Sequence, residues 1–233
     1  MDLTAVLLIF TGFALGLAHS IDPDHIIAVS TLLCNSTNLK KSIVSATAWG
    51  AGHSAMLFVV GLLFLALRAE LPPGLVNLFE FAAGVMLIVL GVIVVKPILF
   101  KTGKNEHNNI KVETHSHLGK DGKLHSHSHN HDQGILHKSV LTGVIQGLAG
   151  SAALMLVTLT TISSFEIGLI FILVFGSGVI LGMICVSCLI GSIMKFTASR
   201  LETIHEKIKL ITGLISIVFG IYIAVQVALT LHF

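Results

Sequence analysis

Two imidazoles and two carboxylates fall within seven residues, His19-Ser20-Ile21-Asp22-Pro23-Asp24-His25, inside an otherwise apolar stretch from Leu3 to Leu33. Ionisable side chains at membrane depth cost roughly 2.5–3.5 kcal/mol each on insertion scales, so a cluster of them marks a functional site by default. Neutral imidazole nitrogen suits Ni, Co, Zn and Cu, and carboxylate oxygen adds charge compensation for a divalent ion. On a helix, His19, Asp22 and, less well, His25 share a face through steps of three residues, while Asp24 projects elsewhere unless Pro23 redirects the chain. Asp22 or Asp24 could instead cap a helix that restarts at His25. A third imidazole, His53, stands beside Ser54 in Trp49-Gly50-Ala51-Gly52-His53-Ser54. It lies about twelve residues past Ser42, or roughly 18 Å along a helix, close to the depth expected for the first cluster. The chemistry implied is the binding of a divalent transition-metal ion within the bilayer by side chains of this cluster, which His53 could join.

The elements that must position these groups follow from composition. Of 233 residues, 54% are hydrophobic and 11% charged, with a mean hydropathy of +0.91, more apolar matter than one soluble core of this length would bury. The expectation is an all-α polytopic membrane protein. A hydrocarbon core of about 30 Å takes about 20 helical residues, and six apolar runs are long enough, near 3–33, 42–67, 75–99, 138–162, 166–194 and 208–231. The first and fifth are too long for one straight crossing, and Pro23 should break the first beside the polar cluster. Only Met1 and Asp2 precede that run, which gives no basic segment of a signal peptide, so it is read as part of the first span. Of the 14 Lys and Arg residues, all but Arg68 fall on one side of a six-span arrangement. By the positive-inside tendency that side is cytoplasmic, and both termini lie outside a cell membrane.

An internal repeat points to the same count. Gly12-Phe-Ala-Leu-Gly16-Leu-Ala-His19-Ser20 recurs as Gly143-Val-Ile-Gln-Gly147-Leu-Ala-Gly150-Ser151, with five of nine positions identical. A weaker echo relates Trp49-Gly50-Ala51-Gly52-His53 to Phe175-Gly176-Ser177-Gly178-Val179. Three spans per copy means that the copies are inverted across the membrane, with a binding site near the midplane. The expected organisation is a first three-helix repeat over 1–100 carrying the metal motif, a loop over 101–137, and a second repeat over 138–233. In the second repeat Gln146 and Ser151, with Ser54 of the first, are expected to line the path. Met155 reads as packing and His205 as part of a solvated surface helix.

The loop 101–137 holds eight histidines, among them His115, His117, His125, His127, His129 and His131, in a background of Lys, Asn, Ser and Gly. Such composition cannot build a packed core, and it reads as a disordered cytoplasmic segment whose imidazoles bind metal loosely. The three cysteines, Cys34, Cys185 and Cys188, form no disulfide framework. They motivate one rival reading, a membrane thiol-disulfide carrier, which leaves the His/Asp cluster unexplained. A membrane hydrolase finds no support, since neither an HExxH pair nor a G-x-S-x-G elbow occurs.

The run His19 to His25 resembles the His-x4-Asp-His signature of the nickel/cobalt permease family, whose usual form is His-Ala-x-Asp-Ala-Asp-His. Gly52-His53-Ser54 is similar to that family's second Gly-His motif. The match covers roughly residues 12–60. The resemblance implies transport of Ni2+ or Co2+ with His19, Asp22, Asp24, His25 and His53 in the metal path, no prosthetic group, no enzymatic activity and no nucleic-acid partner. A cytoplasmic metallochaperone would be a fitting partner. The chain differs from the best-known members in being shorter, with fewer spans, and in its histidine-rich loop. Both features resemble the related nickel/cobalt exporters and short urease-associated permeases. Import is the favoured expectation; efflux, with the loop as cytoplasmic collector, is the alternative. No nucleotide-binding loop is present, so a gradient or a partner would drive uphill movement.

Overall fold

A computed structural model describes residues 3–34, 36, 38–67, 72–100, 114–118, 124–128, 132–147, 152–162 and 164–230. The first apolar run forms two helices, α1 (Leu3–His19) and α2 (Pro23–Leu33), bent by 54° at a three-residue break. Proline explains the position. It has no N–H to donate and occupies the first turn of α2 without cost, whereas within a continuous helix it would clash with the turn before it. Short turn bonds from Ile21 N to Ala18 O and from Asp22 N to His19 O (both 3.1 Å) close the end of α1.

Helices α3 (Leu39–Leu67) and α4 (Pro73–Leu99) follow. Within the histidine-rich segment the chain forms an antiparallel hairpin, β1 (Thr114–Leu118) with β2 (Leu124–Ser128). The fold is therefore helical but not purely so. The physical cue is the alternation His-Ser-His in both strands, a two-residue period that suits a ladder. Helix α5 (Asp132–Gln146) begins before the expected start of its span, and α6 (Ala152–Thr160) is set apart from it. Helix α7 (Phe165–Arg200) runs 36 residues and is separated from α8 (Glu202–Thr230) by Leu201 alone. The 195–209 connection is thus continuous helix on both sides of one residue. His205 is buried there, with Nδ1 3.1 Å from Thr197 Oγ1, in place of the solvated position expected for it.

Helices α3, α4, α7 and α8 are each long and apolar enough to cross a membrane, and the bent pair α1/α2 makes a fifth candidate. Their outward faces carry large apolar side chains, for example Leu63, Ile93, Leu173, Phe196 and Val218, each more than two-fifths exposed. A continuous apolar exterior of this kind is incompatible with water and suits lipid. The chain is a multi-pass membrane protein.

Small residues set the packing. A Cβ on Gly91 would lie 2.5 Å from Gly213 O, and one on Gly220 2.5 Å from Gly84 O, so α4 and α8 cross in close antiparallel contact. Helix α7 lies antiparallel to α3, with Gly176 against Ser54 and Gly168 against Leu65. It lies parallel to α1, with Gly12 against Phe171 and Gly182 against Ser20. Helix α5 lies parallel to α3: Gly143 meets the Trp49 carbonyl, Gly147 that of His53, and Ser45 Oγ is 2.5 Å from Ser139 Oγ. Glycine serves here as the residue that lets two backbones touch, the usual device where lipid provides no hydrophobic drive between helices. The largest buried cluster, which includes Trp49, Leu57, Met155, Phe171, Phe175 and Met183, fills the space between α3, α6 and α7.

Candidate metal site at the helix break

The break between α1 and α2 delivers His19 at the last residue of one helix and His25 in the first turn of the next, and α3 brings His53 against both. All three imidazoles are buried, His25 and His53 completely. Their ring centroids are 4.5 Å (His19–His25), 4.9 Å (His25–His53) and 5.2 Å (His19–His53) apart. One nitrogen from each lies within 4.8 Å of the others, and Asp22, Asp24 and His25 form a second such group sharing His25. Metal–nitrogen bonds of about 2.0–2.1 Å hold ligand nitrogens roughly 3–4 Å apart, so small side-chain shifts suffice to close this group on one ion.

Asp22 sits at the N-cap position of α2 but makes no side-chain capping bond. Its Oδ2 instead lies 2.6 Å from His19 Nδ1. An ionised carboxylate can only accept, so Nδ1 carries the proton and Nε2 of His19 presents its lone pair inward, the arrangement by which a carboxylate orients a metal-binding histidine. That Nε2 is 3.1 Å from His53 Nε2. Asp24, redirected by the break, places Oδ1 2.9 Å from His25 Nδ1, yet the pair lacks hydrogen-bond alignment. Both nitrogens of His25 and Nδ1 of His53 are buried without a hydrogen bond among the described residues. Each such group costs roughly 1–3 kcal/mol, and an electron-pair acceptor among the rings would relieve the cost.

Aromatic walls fix the rings. Trp49 stacks on His53 at 5.1 Å and 17° and meets His25 edge-on at 5.0 Å, while Phe175 stacks on His19 at 5.8 Å. The Trp49 indole N–H donates to Gln146 Oε1 (3.0 Å), and Gln146 Nε2 donates to the Asp24 carbonyl (3.2 Å). Gln146, expected to line the path, is thus fully buried and braces the start of α2 against α3. Ser54 donates to Gly176 O (3.0 Å) and ties α3 to α7. Trp49 and Phe175 are wall residues that spacing alone did not single out as such, although the repeat pairs them. Ser151, His129 and His131 lie outside the described residues. His115 stands opposite His127 and His117 opposite His125 in the hairpin register, so these four positions share one face. Cys34 is buried with Sγ 3.1 Å from Thr31 O, whereas Cys185 is exposed and Cys188 half-buried on α7; none of the three forms a disulfide among the described residues.

A cavity of about 540 Å³ adjoins the site. His19, Asp22, Pro23 and Asp24 form one wall, and residues of α4 and α8 form the other, among them Glu80, Tyr222 and Gln226. Glu80 is the residue that the sequence reading passed over, although a lone carboxylate inside the apolar run of α4 was visible there.

A membrane-embedded helical bundle with a broken first span, and at the break three buried histidines beside two partly exposed aspartates, belongs to the class of polytopic membrane proteins with the chemistry to hold a cation. The chain is 35% identical over 232 residues to urease accessory protein UreH of Bacillus sp. strain TB-90, covering 99% of this chain and 96% of that one. It is 27% identical to a Methanocaldococcus jannaschii protein whose name assigns it, provisionally, to a nickel/cobalt efflux system, over 91% and 89% of the two lengths. It is 25% identical to the chloroplast protein FOR GROWTH AND FERTILITY 2 of Arabidopsis thaliana, over 93% of this chain and 56% of that one. No family model matches the chain, and no solved structure matches it significantly. With a full-length relative at this identity, the chain belongs to the nickel/cobalt permease family.

Proposed function

We propose that this protein moves Ni2+ or Co2+ across the membrane through the site at the α1/α2 break, with inward movement favoured. The observation that carries the reading is the convergence of His19, His25 and His53, buried, with Asp22 and Asp24 beside them, at a discontinuity in a membrane-spanning segment. Borderline divalent ions fit imidazole nitrogen, and the nearby carboxylates balance their charge. A hydrated ion exchanges part of its water for these side chains and is released when the two halves of the bundle rock. Water is expected to remain in its coordination sphere, because a site that must release its ion cannot be fully closed.

The architecture proposed is six crossings in two inverted repeats, α1/α2, α3 and α4 in one and α5/α6, α7 and α8 in the other. Its support is the pattern of neighbours. Exchanging the copies maps the parallel pair α1/α7 onto the parallel pair α5/α3, and maps the antiparallel pairs α3/α7 and α4/α8 onto themselves. The one-sided distribution of basic residues supports both termini outside and residues 101–137 in the cytoplasm. There His115, His117, His125, His127, His129 and His131 receive the ion or hand it to a metallochaperone. Outward transport is the second reading, favoured by the efflux name of the archaeal relative. Radiolabelled nickel flux in right-side-out and inverted vesicles tests substrate and direction together. His19→Ala or His25→Ala should remove the saturable component while the protein still inserts, and unchanged flux in those variants refutes the assignment.

A further inference from the structure

Glu80 faces the same cavity as His19 and Asp22 but is not among the carboxylates grouped with the imidazoles, so it is not a fourth member of that cluster. It sits in the second turn of α4, within an otherwise apolar run, and its carboxylate has no hydrogen bond or ion pair among the described residues. A carboxylate in a membrane-spanning helix that faces a cavity and lacks a basic partner marks an ion pathway. The same wall carries Tyr222 and Gln226 of α8, joined by a bond from Gln226 Nε2 to the Tyr222 hydroxyl (3.2 Å). The close α4/α8 crossing at Gly84 and Gly220 places these groups side by side. At about 30 Å³ per water, a divalent ion with six waters needs roughly 180 Å³, well within a cavity of about 540 Å³. Strongly bound first-shell water is a good donor to carboxylate and amide oxygen.

Resting on the transport reading above, we propose that Glu80, with Gln226 and Tyr222, is a second cation station. It holds the divalent ion still hydrated, through its water shell, before the imidazoles across the cavity replace that water. Glu80 sets how readily the ion is captured, while the His/Asp group sets whether it passes.

The test compares initial rates of radiolabelled Ni2+ flux in vesicles containing equal amounts of inserted wild type, Glu80→Gln, Glu80→Asp and Gln226→Glu, with His19→Ala as reference. Glu80→Gln keeps shape and removes charge; it should raise KM on the order of tenfold with Vmax nearly unchanged, as expected for lost electrostatic concentration of the ion. Glu80→Asp should restore most of the affinity, and Gln226→Glu should lower KM. Titration of Ni2+ onto purified Glu80→Gln should still show a tight site carried by the imidazoles. If His19→Ala abolishes flux but Glu80→Gln leaves KM unchanged, or loses Vmax without rescue by aspartate, the station is wrong and the transport reading survives. If His19→Ala leaves flux intact, the transport reading itself fails.

Discussion

At the scale of single residues, the site depends on which side chains hold the imidazoles as much as on the imidazoles. Asp22 gives up a capping role it was placed to take and orients His19 instead, at 2.6 Å. Loss of a carboxylate that orients a metal-binding histidine typically costs 10–100-fold in affinity. Asp22→Asn is therefore expected to weaken Ni2+ binding by roughly that factor in calorimetric titration of the purified protein. Affinity equal to wild type would show that the His19 ring is held by its packing on Phe175 alone. The motif residues His19, Asp22, Asp24, His25 and His53 were all legible in the sequence. Gln146 was legible only as a polar residue in an apolar span. Its bonds to Trp49 and to the Asp24 carbonyl join residues about a hundred positions apart, a separation across which no local pattern carries information.

At the scale of elements, proline and glycine do most of the shaping. Pro23 decides where the first span breaks, and the 54° bend turns Asp24 and His25 back toward His19. Glycines decide how closely helices approach. A side chain on Gly143 would collide with the Trp49 carbonyl and push α5 away from the helix that carries His53. Gly143→Leu is expected to destabilise the protein by about 1–3 kcal/mol, the usual penalty for forcing extra volume into a packed contact. The measurement is the unfolding midpoint in detergent. Gly74→Leu is its control, since nothing lies within 4 Å of a Cβ there and the midpoint should hold. The spans over α3 and α4 were read almost as they stand, because apolar runs of that length have one solution in a bilayer, whereas α8 begins at Glu202, six residues before the apolar run expected from 208. The hairpin was missed, since a histidine-rich, glycine-containing loop gives compositional evidence against structure while its alternation of His and Ser gives a weak signal for it. Helix α7 extends to Arg200, past the apolar run, because nothing in Lys195 to Arg200 breaks a helix.

At the scale of the whole molecule, two functions are expected to separate. On the transport reading proposed above, the helical bundle would carry the translocation site, and the histidine-rich segment lies between α4 and α5 in the chain. Deletion of residues 107–131 should change apparent affinity or regulation more than turnover in nickel flux assays. Complete loss of transport in a normally inserted deletion protein would contradict that division. The relation between the halves also has a functional side. In the aligned sequence segments, Gly150 and Val179 of the second half stand at the places of His19 and His53 of the first. The second half of the chain contributes instead one wall, through Phe175, and the brace, through Gln146.

The chain itself determined that this is a helical membrane protein whose first span breaks at a His/Asp group with the chemistry to hold a divalent metal. Hydrophobic length, basic asymmetry and the spacing of His and Asp are local properties that a bilayer and a metal ion interpret in few ways. Tertiary structure decided the rest: that His53 meets His19 at 3.1 Å, that Asp22 orients a ring in place of capping a helix, and that Glu80 shares a cavity with them. Those facts depend on the rotation and spacing of α1, α3, α4 and α8 about one another. These are set by glycine contacts between segments far apart in the chain, and no pattern within a single helix encodes them.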